Sequence, residues 1–238
     1  MTTGTGVKTS ACPSTANGWY HIEWKFVIDN TVPLSPTGTY EIRVEGVTVY
    51  TSPAPVPLTQ NNIGMMRTSS GNISRNYAAF LKDFVLWDNN GARNNDFLGT
   101  VLVTNLGPDE DIELGWTPNV GTEIFPILAN IPPDPTQYMF ADVPQVGDPY
   151  EAELSDLPLN TTSVKGIITY VRAAKTDGGD GQMQVSMISD GDVVSGSDRP
   201  ITVAQTYWRD IFETDPHTAQ PWTPAAVNAA TIQIVRTV

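Results

Sequence analysis

The chain has 238 residues, of which 40% are apolar and 16% charged, a balance typical of a folded protein rather than a charge-rich disordered one. Its net charge of −13, with the basic residues scattered singly, argues against a nucleic-acid-binding surface. The single cysteine excludes an intrachain disulfide and a thiolate zinc site. The sequence contains no run of about 18 apolar residues, so no membrane-spanning helix is predicted.

The first half of the chain predicts strands. Residues 1–17 are interpreted as an N-terminal arm, and residues 18–105 as a first domain. In the strand that begins at Trp19, apolar side chains alternate with polar ones, and we expect Ile22, Trp24 and Phe26 to face the core. Further strands are predicted at 39–45, 47–50, 77–88 and 97–104.

Residues 106–149 are rich in Pro, Gly, Asp and Asn, and we interpret them as a crossover with few regular elements. Residues 150–238 are predicted to form a C-terminal β-domain, in which 177–181 is a hairpin loop between two strands. Near its end, Thr223 is a predicted N-cap, Pro224 suits the first helical position, and Ala225–Ala230 favour one short helix before a closing strand. Short strands at regular intervals are typical of a β-sandwich.

The loop from Asp88 to Asp96 is the metal candidate of the sequence. Its oxygen-bearing side chains, Asp88, Asn90 and Asp96, surround a glycine, and calcium prefers several oxygen ligands on a tight turn. A hydrogen-bonded connection between strands is the alternative interpretation. No other cofactor is expected.

Three tryptophans, Trp116, Trp208 and Trp222, are candidates for stacking on a ligand or for contact at an interface, although packing in the core is the favoured interpretation. Trp208 follows Tyr207 in one strand, so one of the two rings should point outward. No catalytic residue is predicted, because the chain lacks the nucleophile, phosphate and dinucleotide motifs. The triplet Asp215-Pro216-His217 is interpreted as a turn.

A resemblance to known proteins is carried by residues 18–25, 38–46 and 80–88, which together resemble the later strands of the laminin-G/concanavalin-A-like jelly roll. Joined to residues 95–101 and to the closing segment Glu213–Ala229, the chain is similar to structural proteins of tailed bacteriophages. In that jelly roll, earlier strands precede the strand that begins here at residue 18, and the 17 residues before it do not resemble them. Either another chain completes the sheet, or the domain is shortened, or the start of the protein is missing.

The resemblance implies an all-β fold, with a concanavalin-A-like (jelly-roll) β-sandwich followed by a second β-sandwich-type domain that carries one short C-terminal helix. It also implies a non-enzymatic component of a virion, in the tail, a fibre or the capsid decoration, that is assembled in the host cytoplasm. The implied partners are further copies of the chain and other virion proteins, with neither nucleic acid nor membrane. A carbohydrate-binding adhesin that recognises host surface glycans is the alternative, and a glycan hydrolase with paired carboxylates is a third.

Overall fold

The computed structural model describes residues 19–29, 31, 37–52, 55–57, 82–83, 85–86, 91, 93–142, 146–176 and 178–238. These residues form strands and loops with two short helices, which confirms the prediction of an all-β fold. The chain divides between Val103 and Thr104 into two compact units. No helix in the described ranges has the length and apolar character that a bilayer crossing requires. The predicted arm at 1–17 and most of the predicted strand at 77–88 lie outside the described residues.

The described part of the first unit contains one antiparallel sheet. Strand β1 pairs with β2 along its whole length, and β2 also pairs with β3 and with β4. The strands are β1 Ile22–Asp29, β2 Thr37–Val44, β3 Val47–Thr51 and β4 Val56–Pro57.

The prediction that the apolar side chains of β1 face inward is wrong. Ile22 and Phe26 are exposed, whereas Glu23 is only 4% exposed. The Glu23 carboxylate is satisfied by the Gly99 N–H, which donates to Oε1 at 2.8 Å. The exposed side is not bare, because the ring of Phe26 stacks on that of Tyr40 with centroids 6.2 Å apart. Trp24 is half-buried and Val27 is exposed, so burial along β1 does not follow the predicted alternation.

The predicted strand at 97–104 is absent, since the structure describes these residues and they form no strand. Backbone N–H groups of this segment bond to side chains instead of to a neighbouring strand: Phe97 donates to Asp96 and Val103 donates to Asp83. The guanidinium of Arg43 also lies 3.7 Å from the centroid of the Phe97 ring. Residues 96–99 thus cover the polar side of the β1–β2 pair.

The second unit holds most of the regular structure. Its elements are β5 Pro108–Leu114, β6 Thr117–Pro118, α1 Phe125–Leu128, β7 Met139–Phe140, β8 Pro149–Leu154, β9 Ile167–Ala173, β10 Gln182–Ser189, β11 Asp192–Ser195, β12 Arg199–Pro200, β13 Thr206–Phe212, α2 Pro224–Asn228 and β14 Thr231–Arg236. A six-stranded antiparallel sheet has the order β11-β10-β14-β8-β5, with β12 paired to β10, and β13 pairs with β9 in a separate two-stranded sheet.

Two apolar clusters fill the space between these sheets. The first surrounds Tyr150 and Val185 of the six-stranded sheet, and Val171 and Trp208 of the β9–β13 pair pack against it. The second joins Met187 of β10 to Phe212 of β13 and to residues of α2. Because each sheet turns one side toward these clusters, the second unit is a two-layer, sandwich-like packing of strands.

Two predictions about connections in this half differ from the structure. Residues 106–149, expected to form a crossover with few regular elements between two domains, belong to the second unit and contribute the edge strand β5 and helix α1 to it. The residues at 177–181 do not join a hairpin, because β9 pairs with β13 and β10 lies in the other sheet. The tight hairpin turn is Asp190-Gly191 between β10 and β11, where both residues have positive φ.

The prediction for the closing segment is confirmed. Helix α2 begins at Pro224, and the hydroxyl of its N-cap Thr223 accepts the Ala226 N–H at 3.1 Å. Strand β14 follows at Thr231–Arg236 and pairs with both β8 and β10 in the centre of the six-stranded sheet. The end of the chain is therefore a central part of the second unit.

Candidate interaction surface

The outer side of the β9–β13 sheet carries large, exposed side chains. The strand register places them in three cross-strand pairs, and four of them are largely exposed: Ile168 48%, Tyr170 74%, Tyr207 65% and Ile211 57%. We call this surface the tyrosine–arginine face; it consists of Ile168 opposite Ile211, Tyr170 opposite Arg209, and Arg172 opposite Tyr207.

Local contacts orient Arg172, one of the two arginines of this face. The guanidinium of Arg172 lies 5.6 Å from the centroid of the Tyr207 ring, and its Nε donates to the side-chain oxygen of Gln205 at 3.0 Å. Neither Arg172 nor Arg209 forms an ion pair with a described residue. The face therefore presents two arginine charges beside two aromatic rings, with no acidic residue among its six members.

The inner side of β13 is anchored by an ion pair between the buried Asp210 and the partly exposed Arg199. The Asp210 Oδ1 atom accepts a hydrogen bond from Arg199 Nη2 at 2.7 Å, and Asp210 is itself buried. Gly196 makes room for this carboxylate, since a Cβ at that position would lie 2.6 Å from Asp210 Cγ. The contact ties β13 to the β12 end of the other layer, so the strand that carries Tyr207 and Arg209 is held firmly.

The outer side of the six-stranded sheet has the opposite charge. Glu110 lies opposite Glu153, and Glu113 opposite Glu151, where the edge strand β5 pairs with β8. Their neighbours Tyr150 and Ala152 are fully buried, which directs the four glutamates to the outer side of the sheet. We call these four residues, Glu110, Glu113, Glu151 and Glu153, the glutamate face.

A second charged cluster closes the tip of the β10–β11 hairpin. His217 Nδ1 lies 2.8 Å from an Asp192 carboxylate oxygen, and Nε2 lies 3.3 Å from Asp190. Only a doubly protonated imidazole can donate to both, and the hydrogen bond to Asp192, with the nearby negative charges, raises the pKa of His217. The cluster fastens the hairpin to the loop that precedes α2.

The loop around His217 is a turn, as the sequence indicates. Asp215 is buried, and its carboxylate accepts the His217 N–H at 3.0 Å and the Thr218 hydroxyl at 3.0 Å. Burial opposes ionisation of Asp215, but hydrogen bonds from Ser189, His217 and Thr218 outweigh it and hold its pKa below the usual value. The triplet is therefore a side-chain-stabilised turn.

The structure places the three candidate tryptophans in or against the core. Trp116 is 9% exposed and Trp222 is 2% exposed, and their indole N–H groups donate to the backbone oxygens of Asp148 and Phe212. Trp208 packs on the Tyr150 cluster and its neighbour Tyr207 points outward, so one of the two rings is exposed, as expected from the alternation. The burial of Trp116 and Trp222 agrees with the favoured interpretation of core packing and leaves neither ring accessible for stacking on a ligand.

The metal candidates are only partly covered by the structure. Asp88 and Asn90 lie outside the described residues. Asp96 Oδ1 accepts hydrogen bonds from Lys25 Nζ at 2.9 Å and from the Phe97 N–H at 2.8 Å. In the described part of the chain, no group of three or more His, Cys, Asp or Glu side chains is arranged to hold a metal ion. A calcium ion at Asp88–Asp96 stays a prediction.

None of the six residues of the tyrosine–arginine face was predicted to be a site residue from the sequence. A signal was present, because β9 and β13 carry large side chains at both odd and even positions, and a strand in a two-layer fold can bury only one set. Which set faces outward depends on the pairing of two segments far apart in the chain, so the register of β9 with β13 was needed to see it.

Comparison of this chain with known proteins found no matching family model, no matching curated protein and no matching solved structure.

Proposed function

We propose that this chain is a non-enzymatic structural component of a bacteriophage virion, in the tail, a fibre or the capsid decoration, and that it acts through oligomeric assembly. The observation that carries the proposal is the tyrosine–arginine face. Tyr and Arg are enriched at the energetic centres of protein interfaces, and here two cross-strand Tyr–Arg pairs form an exposed patch next to the Ile168–Ile211 pair.

The phage part of the proposal rests on the resemblance of the closing segment Glu213–Ala229 and of the strands in residues 18–46. The antiparallel β1–β2–β3 sheet is compatible with a concanavalin-A-like jelly roll in the first unit, which we include in the proposal. Assembly would take place in the host cytoplasm, with further copies and other virion proteins as partners.

The test is the composition of intact particles. Virions purified from cells that produce the chain are analysed by quantitative mass spectrometry before and after a wash in high salt. We expect a fixed copy number per particle, and a lower copy number when Tyr207→Ala replaces the wild-type chain. The chain found only in the cell lysate, with none in washed particles, would exclude the proposed function.

A second candidate, a glycan-binding adhesin, is favoured by one observation. The rings of Tyr170 and Tyr207 are exposed on a sheet surface, where aromatic faces can stack on sugars. A glycan array tests it with Tyr170→Ala and Tyr207→Ala, and with Tyr→Phe at the same positions as the control that keeps the ring. Binding that survives the Phe variants and is lost in the Ala variants would support the adhesin over a purely structural role.

A further inference from the structure

We infer that copies of this chain associate head to tail, with the tyrosine–arginine face of one copy docked on the glutamate face of the next. The inference rests on the assembly role proposed above and deepens it, because it names the partner as a second copy and assigns the two surfaces. Both surfaces belong to the second unit.

Two arginines give the tyrosine–arginine face a positive charge. Arg172 is held by a neutral partner, Gln205, and by the ring of Tyr207, so its charge is oriented but not neutralised. Arg209 is exposed at the centre of the face, opposite Tyr170. In a chain with a net charge of −13, two arginines without an acidic residue among them make this face locally cationic.

The four carboxylates of the glutamate face repel one another. Glu110 faces Glu153 and Glu113 faces Glu151 directly across two strands, and like charges in that position destabilise a sheet. The one carboxylate with side-chain partners, Glu151, accepts from the neutral Thr231 hydroxyl at 2.7 Å. None of the four forms an ion pair with a described residue. A cationic partner would relieve this repulsion.

The tyrosine–arginine face and the glutamate face lie on opposite sides of the second unit. The inner sides of the two sheets enclose the apolar clusters, so the outer sides point away from each other across the sandwich. A contact between them joins unlike surfaces of two copies, which repeats from copy to copy and forms a ring or a filament. Two copies that met through the same face would instead bring arginine against arginine.

The side chains of the two faces are chemically complementary. Arginine forms paired hydrogen bonds with carboxylates, and the exposed Tyr170 and Tyr207 supply apolar area around those contacts. Ile112 of β5, which precedes Glu113 in the chain, is exposed and can receive an isoleucine of the partner. Register shifts in β5 interrupt its hydrogen-bonding edge, so face-to-face docking is favoured over edge-to-edge strand pairing.

The test is the self-association of the full-length chain, measured by sedimentation velocity over a range of concentrations. We expect the wild-type chain to associate at low salt and to dissociate as salt is raised, because charge pairs at an interface are screened. The double variant Arg172→Glu/Arg209→Glu should raise the dissociation constant about tenfold or more. Lys175→Glu has the same charge change as Arg209→Glu but lies outside both faces. It should associate as strongly as the wild-type chain, whereas the single Arg209→Glu variant should associate more weakly.

A mixing experiment distinguishes head-to-tail docking from contact through one shared face. Glu110→Arg/Glu113→Arg keeps the tyrosine–arginine face intact and should nevertheless fail to associate alone. Mixed in equal amounts with Arg172→Glu/Arg209→Glu, it should regain association, because each variant retains the native surface that the other lacks. Circular dichroism of each variant checks that its strands are formed.

Three results would overturn the inference. The wild-type chain could remain monomeric at low salt and high concentration, the Glu→Arg variant could associate alone as well as wild type, or the mixture could fail to associate. These results differ from failure of the proposed function, because presence of the chain in washed particles is measured separately. A chain that is found in particles but does not self-associate would have other virion proteins as partners.

Discussion

At the residue scale, His217 couples the tip of the β10–β11 hairpin to pH. Its raised pKa means that the protonated form is stabilised in the folded chain, facing Asp190, Asp192 and Asp215. That contribution to stability is fully present below the unfolded pKa of about 6.5 and is lost as the pH rises through the folded value. The residue is exposed, so salt should weaken the effect.

We therefore predict that His217→Gln lowers the melting temperature relative to wild type near pH 5.5 and that the difference shrinks toward pH 8.5. Thermal unfolding at matched ionic strength measures it. The double variant Asp190→Asn/Asp192→Asn keeps the histidine but removes its charged partners, and should show the same reduced pH dependence. A difference between wild type and His217→Gln that is constant across this range would contradict the prediction.

A single carboxylate joins β5 to the start of α1. Asp111 accepts the N–H groups of Ile124 at 2.7 Å and Phe125 at 2.8 Å, and the hydroxyl of the buried Tyr150 at 2.8 Å. Burial, and then this hydrogen bond to Asp111, raise the pKa of the Tyr150 hydroxyl. The hydroxyl is thus kept protonated as a donor.

We expect Asp111→Ala to lower the free energy of unfolding by about 3 kcal/mol, because it leaves several buried donors without an acceptor. Chemical denaturation measures this value. Asp109→Ala in the same strand is the control, since Asp109 is exposed and its loss should change stability by less than about 0.5 kcal/mol. Equal effects of the two substitutions would show that the Asp111 contacts contribute nothing.

At the scale of elements, the end of β5 and the start of β8 approach so closely that only glycine fits. The Gly115 N–H donates to the Pro149 oxygen at 2.8 Å, and a Cβ on Gly115 would lie 2.3 Å from that same oxygen. The atom that must give way belongs to the backbone, so the neighbouring strand cannot move aside freely.

We predict that Gly115→Ala destabilises the chain by about 1–3 kcal/mol, the usual cost of forcing an added methyl group into a packed site. The matched control is Gly178→Ala, where a Cβ would meet nothing within 4 Å. Urea unfolding of both variants gives the comparison. The prediction fails if Gly115→Ala is as stable as Gly178→Ala.

At the scale of the whole molecule, the division at Val103–Thr104 has a physical consequence. Both apolar clusters and all strands of the six-stranded sheet lie within the second unit. We therefore expect residues 104–238, expressed alone, to fold and to unfold cooperatively. Near-ultraviolet circular dichroism of the buried Trp116 and Trp222 monitors the transition; a broad transition without a tryptophan signal would show that the unit does not fold alone.

Properties that depend on neighbours in the chain could be predicted from the sequence. The all-β class follows from alternation and turn residues, and the start of α2 follows from Thr223 and Pro224, whose capping involves only the next few residues. The same local rule predicts that one of the neighbours Tyr207 and Trp208 points outward, and the structure shows that it is Tyr207.

Properties that depend on contacts between distant segments were decided only by the tertiary structure. The sequence of β1 does not reveal that Glu23 is buried, with its carboxylate accepting the N–H of Gly99, which lies far along the chain. Likewise, the register of β9 with β13 determines that Tyr170 and Arg209 share an exposed face. Local sequence sets the period of a strand, whereas the free energy of burial depends on which surface comes to cover it, and this difference separates what the sequence determined from what the fold decided.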